Sequence, residues 1–469
     1  MNTARQLLTI LILGVLFAGC LSPDNTPPDD DPEPAVDPLD LLESALADGH
    51  DHSEVALHPE VASGFEEVTR LSLDGDGAQR VPILEMDATP GLAFVATQRP
   101  HPGFIVLDTS SPRDPEQIGR YSAGTPYVAD VKTTPDGRWV FVATQPETLF
   151  ATVFGKPGAP TPTPGEPAPY AGDVGIHIVD TSDPTAPSFA GLYAGDATGY
   201  HMLTLTEISG ATYVMGTTLF AGHVDILRFE TTPTPHLVPV STFHPAVHDA
   251  ALTAESAGRS YIPEAHDMTV APDPLEGFPL LSVAHGSFGL FFLDLSDPSA
   301  PRYLGGWNDG PGGPYGIMFA HTVRVVEVEG TRVAFVASEA LSHDRQAPAW
   351  VVDVTEFNAP KLLHTWTLPG EHPITEHYLY STHNIEIVDG RVYMAHYHAG
   401  LLVLDISTRE RAAAPVLEAF IVPGGVETVP FFAIDYSPMV FDVFPVGDVF
   451  YVTDVTGGLR VVARTEAVG

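Results

Sequence analysis

Residues 175–193 read GIHIVDTSDPTAPSFAGLY, and three other stretches repeat the wording: GFIVLDTSSPRDPEQIGRY from Gly103, GLFFLDLSDPSAPRYLGGW from Gly289 and WVVDVTEFNAPKLLHTW from Trp350. Each is an apolar strand ending in Asp, then a Ser/Thr–Pro turn, then a second apolar strand. A unit of this kind cannot bury its own apolar faces, so the copies have to stack on one another.

A further apolar run precedes these stretches, as in Leu92-Ala-Phe-Val-Ala-Thr, Trp139-Val-Phe-Val-Ala-Thr, Arg332-Val-Ala-Phe-Val-Ala and Arg391-Val-Tyr-Met-Ala. Helical periodicity is almost absent. The unit therefore reads as four strands, and its copies begin near Asp87, Asp130, His201, His266, His321, His383 and Asp442. Steps between starts run from 43 to 71 residues, the longer ones holding insertions such as the Pro-rich Pro146–Gly172 and His244–Pro263. The last copy, Asp442–Arg464, supplies three strands, while Glu67–Leu73 (EVTRLSL) precedes the first copy without a unit of its own. A strand from one chain end completing a blade from the other leaves no open sheet edge. The expected fold is all-β: a single β-propeller of seven four-stranded antiparallel blades, closed by an N-terminal strand joining the last blade. The insertions leave six or eight blades open.

GIHIVDTSDPTAP, GLFFLDLSDPSAP and HNIEIVDGRVYMAHYHAGLLVLDIS resemble the LVIVD repeat of bacterial and archaeal surface β-propellers. The resemblance covers most of the body and is clear around Asp108, Asp180, Asp294, Asp353 and Asp405. It departs in the third copy, where Arg228 stands near the expected Asp. It implies a propeller at a cell surface and no particular reaction. The repeated Asp reads as turn chemistry, its carboxylate accepting from the backbone two residues on. A calcium loop needs several oxygens within about a dozen residues, which the spacing does not give.

The chain opens MNTARQLLTILILGVLFAGC: one Arg, an apolar run from Leu7 to Phe17, then Ala18-Gly19-Cys20. That is a secretory signal over 1–19, too short to span a bilayer comfortably. Ala-Gly-Cys after such a run resembles the lipobox of prokaryotic lipoproteins, which implies a lipid on Cys20, though Phe17 stands where Leu is usual. Residues 20–62 read as an acidic, Pro-rich tether with one short helical stretch at Leu39–Ala47, and 63–469 as the propeller. The protein is thus expected outside the cytoplasm, anchored to a prokaryotic membrane or surface as a monomer. The 469 residues carry 60 acidic and 21 basic side chains, a net charge of −39. Such a field repels nucleic acid. Acid richness with three lysines resembles proteins of salt-adapted organisms, a salt-adapted archaeon among them, or an ordinary acidic secreted protein. Cys20 is the only cysteine, so neither an intrachain disulfide nor a nucleophilic thiol in the body is available.

Candidate chemistry lies with histidine. Four consecutive copies begin with His201, His266, His321 and His383, while Asp87, Asp130 and Asp442 take that place in the other three. If copies are blades, these side chains face a common axis. A second group follows the second strand: His285, His396 and His398, with His343 and His223 as further members. Both groups are expected around one channel mouth. Imidazole suits copper, zinc, iron or nickel, and the three carboxylates are alternative ligands or partners that orient the rings. The plainer alternative is a polar, hydrated channel whose His and Asp tie blade to blade. No phosphate-binding Gly loop, HExxH or Gly-x-Ser-x-Gly is present. The expected function is a surface binding or scaffold module taking a protein or small molecule at the channel mouth. The alternatives are a His-ligated metalloenzyme (an oxidoreductase or hydrolase) and a purely structural envelope protein.

Overall fold

The computed structural model describes residues 37–47, 60–73, 80–146, 174–218, 221–245, 265–308, 319–339, 346–370, 379–426, 429, 431 and 438–465. The signal segment, Cys20, the tether before Asp37, most of the Pro146–Gly172 insertion and His343 lie outside these residues.

The chain enters through helix α1 (Pro38–Ala47) and strands β1 (Val61–Ser63) and β2 (Phe65–Leu71). Seven sheets follow in chain order. The first blade is β3 (Ile83–Thr89), β4 (Leu92–Thr97), β5 (Gly103–Asp108) and β6 (Glu116–Ser122). The second is β7 (Tyr127–Thr133), β8 (Trp139–Gln145), β9 (Gly175–Asp180) and β10 (Ser188–Tyr193). The third runs from β11 (Leu203–Ile208) and β12 (Ala211–Thr217) to β13 (Val224–Glu230) and β14 (His236–Phe243). The fourth comprises β15 (Asp267–Pro272), β16 (Pro279–His285), β17 (Gly289–Asp294) and β18 (Arg302–Trp307). In the fifth are β19 (Ala320–Val328), β20 (Thr331–Ser338), β21 (Ala349–Asp353) and β22 (Lys361–Trp366). The sixth holds β23 (Ile385–Val388), β24 (Arg391–His396), β25 (Gly400–Asp405) and β26 (Val416–Val422), with the short helix α2 (Arg409–Ala413) before β26. Strands β27 (Val440–Val446), β28 (Val449–Asp454) and β29 (Gly458–Arg464) form the seventh.

Within every blade the strands are antiparallel neighbours in sequence order. The seventh is completed by β2, which pairs with β29 from Phe65↔Arg464 to Leu71↔Leu459. Seven blades and the N-terminal closure are thus as the repeats predict. Two N-terminal elements fall within the expected tether yet pack on the sixth blade. Strand β1 adds a fifth strand to it, pairing Val61 with Val422. Helix α1 buries Leu42 and Leu46 in a cluster with Trp366, Leu402 and Phe420.

The core is a ring of apolar layers between blades rather than one centre. Phe243, Phe291 and Leu293 fill the layer between the third and fourth. Leu459 and Val461 meet Ile83 and Ile105 between seventh and first, which closes the circle. The Asp-ended strands behave as the turn reading requires: the backbone amides of Ser110, Ser182, Ser296, Thr355 and Ser407 donate to Asp108, Asp180, Asp294, Asp353 and Asp405 at 2.8–2.9 Å. These turns also lock blades together. A Cβ built on Gly119 in β6 would stand 2.1 Å from the carbonyl of Pro184, in the turn of the next blade. On Gly305 in β18 it would stand 1.9 Å from the carbonyl of Phe357. In the third blade Ser241 fills this role, its hydroxyl donating to the Pro298 carbonyl at 2.6 Å.

Candidate metal centre

The innermost strands carry an irregularity where they enter the blade. Pairing shifts register between Ala320 and Thr322, between Val128 and Asp130, and between Val440 and Asp442, leaving His321, Ala129 and Phe441 as extra residues. Such a bulge re-aims one side chain and sharpens the local twist. His266 and His383 hold the corresponding place in the fourth and sixth blades, each just before the residue level with Ala284 or Ala395. His201 lies one residue earlier still in the third blade.

These four imidazoles form a continuous arc across four consecutive blades. Ring centroids are 4.5 Å apart for His201–His266, 4.1 Å for His266–His321 and 4.0 Å for His321–His383. All are buried, His321 completely. Two tautomers follow from their partners. The Nδ1 of His383 lies 2.8 Å from the Phe441 carbonyl, which can only accept, so Nδ1 carries the proton and Nε2 keeps its lone pair. His201 bonds the side-chain oxygen of Gln145 through Nδ1 at 2.9 Å and points Nε2 at Nε2 of His266, 3.2 Å away. Neither ring nitrogen of His321 has a hydrogen-bond partner among the described residues.

Facing this arc is Glu339, just past the end of β20. Its Oε2 lies 3.9 Å from Nε2 of His266 and 3.8 Å from Nε2 of His321. Ligand atoms of His266, His321 and Glu339 all lie within 4.8 Å of one another, a span one metal ion can draw together. The other carboxylate oxygen accepts a short hydrogen bond from the Tyr397 hydroxyl.

Electrostatics suit a cation. Burial holds the pKa of His201 down to about 3. Burial, then the neighbouring imidazoles, push His266, His321 and His383 well below the usual range. The rings are therefore neutral at pH 7 and their lone pairs are available. Burial raises Glu339 to about 7, with the Tyr397 hydrogen bond pulling the other way.

The carboxylates expected at the same level stand further along the strand and tie blades together. Asp87 accepts from the Thr133 amide at 2.8 Å, Asp130 from Leu203 at 2.8 Å and Asp442 from Met86 at 3.1 Å. Each bond runs to the inner strand of the following blade. With Glu85, Lys132, Asp267, Arg324 and Glu386 around it, the axis widens here into a chamber of about 330 Å³. In the second His group, His285 and His396 are placed between blades. His285 bonds the Gly222 carbonyl at 3.1 Å and stacks on Phe288. His396 lies against Trp366 of the preceding blade, and Nδ1 of His398 accepts from the Leu379 amide at 2.9 Å. His223 pairs with Asp225 at 3.6 Å.

Three members of the site were not among the residues singled out from the sequence: Gln145, Glu339 and Tyr397. All occupy one position of the repeat, the last residue of the second strand (Gln145) or the one immediately after it (Glu339, Tyr397), where the first, third, fourth and seventh blades carry Gln98, Thr218, Gly286 and Val455. The available signal was that this position changes character from copy to copy within an otherwise regular string.

Residues 170–195 match the LVIVD repeat family. The matched LVIVD span contains all of β9 and β10, and its GIHIVD strand is the one whose terminal Asp180 closes the turn described above. No curated protein matches the chain. Among solved structures, a chain in one titled "Crystal Structure of Mitotic Checkpoint Complex" is similar at 10% identity and a TM-score of 0.48, over 85% of this chain and 94% of that one.

Proposed function

We propose that this protein is a lipid-anchored, extracytoplasmic propeller that holds a transition metal on its axis and uses that end of the channel to bind a protein or small molecule. His266, His321 and Glu339 are the ligands, with His201 and His383 beside them. The observation that carries the reading is His321, fully buried with two ring nitrogens that no described residue satisfies. An unmet buried polar group costs about 1–3 kcal/mol, and a cation bound at Nε2 removes that cost for one of the two nitrogens. Neutral imidazoles with a carboxylate select copper, zinc or iron over calcium or magnesium. The anchor is the lipid on Cys20, outside the described residues.

A metal-dependent oxidoreductase or hydrolase is the second reading. It is favoured by the ligand count, since three protein ligands leave positions open for water or substrate.

Protein purified without a His tag and dialysed against copper, zinc and iron in turn should retain about one equivalent of at least one metal. The His266→Ala/His321→Ala variant should retain none while keeping its β-sheet circular dichroism. Uptake below a tenth of an equivalent by the wild type, or unchanged uptake by the variant, would refute the assignment.

A further inference from the structure

The backbone at Tyr397 has φ of +29°, a value a residue with a Cβ adopts only under strain. Its counterpart two repeats earlier shows what the fold prefers there. Gly286 occupies the same position in the fourth blade with φ of +39°, and both residues bridge to the inner strand of the following blade, Gly286 to Ala320 and Tyr397 to Val440. The sixth blade thus keeps a large side chain where glycine would cost nothing in backbone energy. That side chain is 1% exposed. Its ring lies 5.4 Å from that of His383, and its hydroxyl donates to the oxygen of Glu339 that faces away from His266 and His321.

We infer that Tyr397 is a positioning residue for the metal centre, holding Glu339 by its outer oxygen so that the inner oxygen alone is presented to the ion. The inference rests on the metal reading above. Without the phenol, Glu339 is free to turn and offer both oxygens, which changes coordination number as well as affinity. Residues that hold a ligand in this way typically contribute about 10- to 100-fold in metal affinity.

Cobalt(II) is a suitable probe, because its visible absorption reports coordination number. Wild type, Tyr397→Phe and Tyr397→Gly, each as the full chain, are titrated with cobalt(II) and with zinc(II) against a chromophoric chelator. Tyr397→Phe should bind both ions about 10- to 100-fold more weakly, and its cobalt bands should shift in position and intensity. Tyr397→Gly removes the backbone strain and still lacks the donor, so it too should lose affinity. That comparison also stands in if the Phe variant does not fold. Wild-type affinity and an unchanged cobalt spectrum in either variant would overturn the role of Tyr397 while leaving the metal centre intact. Failure of the wild type to take up either ion would overturn the metal reading and this inference with it.

Discussion

Replacing Arg460 by Met should loosen the closure of the ring. Arg460 lies in β29, the strand that receives the N-terminal β2, and is 1% exposed. Its guanidinium reaches Asp454 at 2.8 and 3.3 Å, Glu67 of β2 at 2.8 Å and the Gly424 carbonyl at 3.0 Å. One side chain therefore joins the N-terminal strand, the last strand and the loop after the sixth blade. Met fills most of the volume, so the effect is electrostatic. Asp454, fully buried, would lose its cationic partner and keep neutral donors such as the backbone amides of Met439 and Gly457, at 3.0 and 3.3 Å. Breaking a buried pair by removing one partner costs about 3–5 kcal/mol. Glu67 is 18% exposed on its side chain, and its lost contact adds less than about 1 kcal/mol. The expected loss is about 4 kcal/mol in chemical denaturation monitored by tryptophan fluorescence. Adding Asp454→Asn neutralises the stranded carboxylate and should recover about half of it. A loss below about 1 kcal/mol, or no coupling between the two sites, would refute the argument that this contact holds the closure.

The other predictions concern blade contacts, pH and anchoring. Gly119→Ala places a methyl 2.1 Å from the Pro184 carbonyl and should destabilise by about 1–3 kcal/mol, measured in the same denaturation; a neutral result would mean the turn does not dock as described. The axial imidazoles titrate below their unfolded values, with His201 at about 3, so their contribution is present above about pH 6.5 and is lost as the pH falls toward 3. Buried Asp87 and Asp442 run the opposite way: raised to about 6 and about 7, they stabilise most below pH 4 and lose that contribution as the pH climbs to 7. A His266→Gln/His321→Gln variant should therefore show a shallower fall in melting temperature between pH 6.5 and 4 than the metal-free wild type, and parallel curves would count against buried neutral rings. Cys20→Ser should release the protein into the medium, whereas continued membrane retention would argue against the lipid.

Much of this was legible in the chain because a propeller repeats its instructions. The Asp-ended strands and their Pro-containing turns announce the third and fourth strands of five blades, and the unmatched EVTRLSL segment announces the closure. The His that starts each of four copies marks the axis. What the strings did not reveal was local and rotational. A bulge of one residue at His321 decides which side chain of the inner strand turns inward, and it leaves no compositional trace. That is why Asp130 and Asp442, apparently level with the His residues, are offset from them and bond across blades instead. The same limit applies to His285 and His396, whose strand ends are at the expected level but whose rings turn between blades, toward Phe288 and Trp366. Glu339 and Tyr397 are inconspicuous in the chain because each sits near residues with a plainer metal-ligand character, His343 in one string and His396 and His398 in the other.

The route by which the N-terminus joins the body has a mechanical consequence. Traction applied from a membrane would reach the propeller through α1 first, then β1, and only then β2. The helix and the fifth strand are additions to an already complete sixth sheet, so detaching them sacrifices no blade. They stand in series as breakable links, and a tug that frees both would still leave the clasp between β2 and β29 shut.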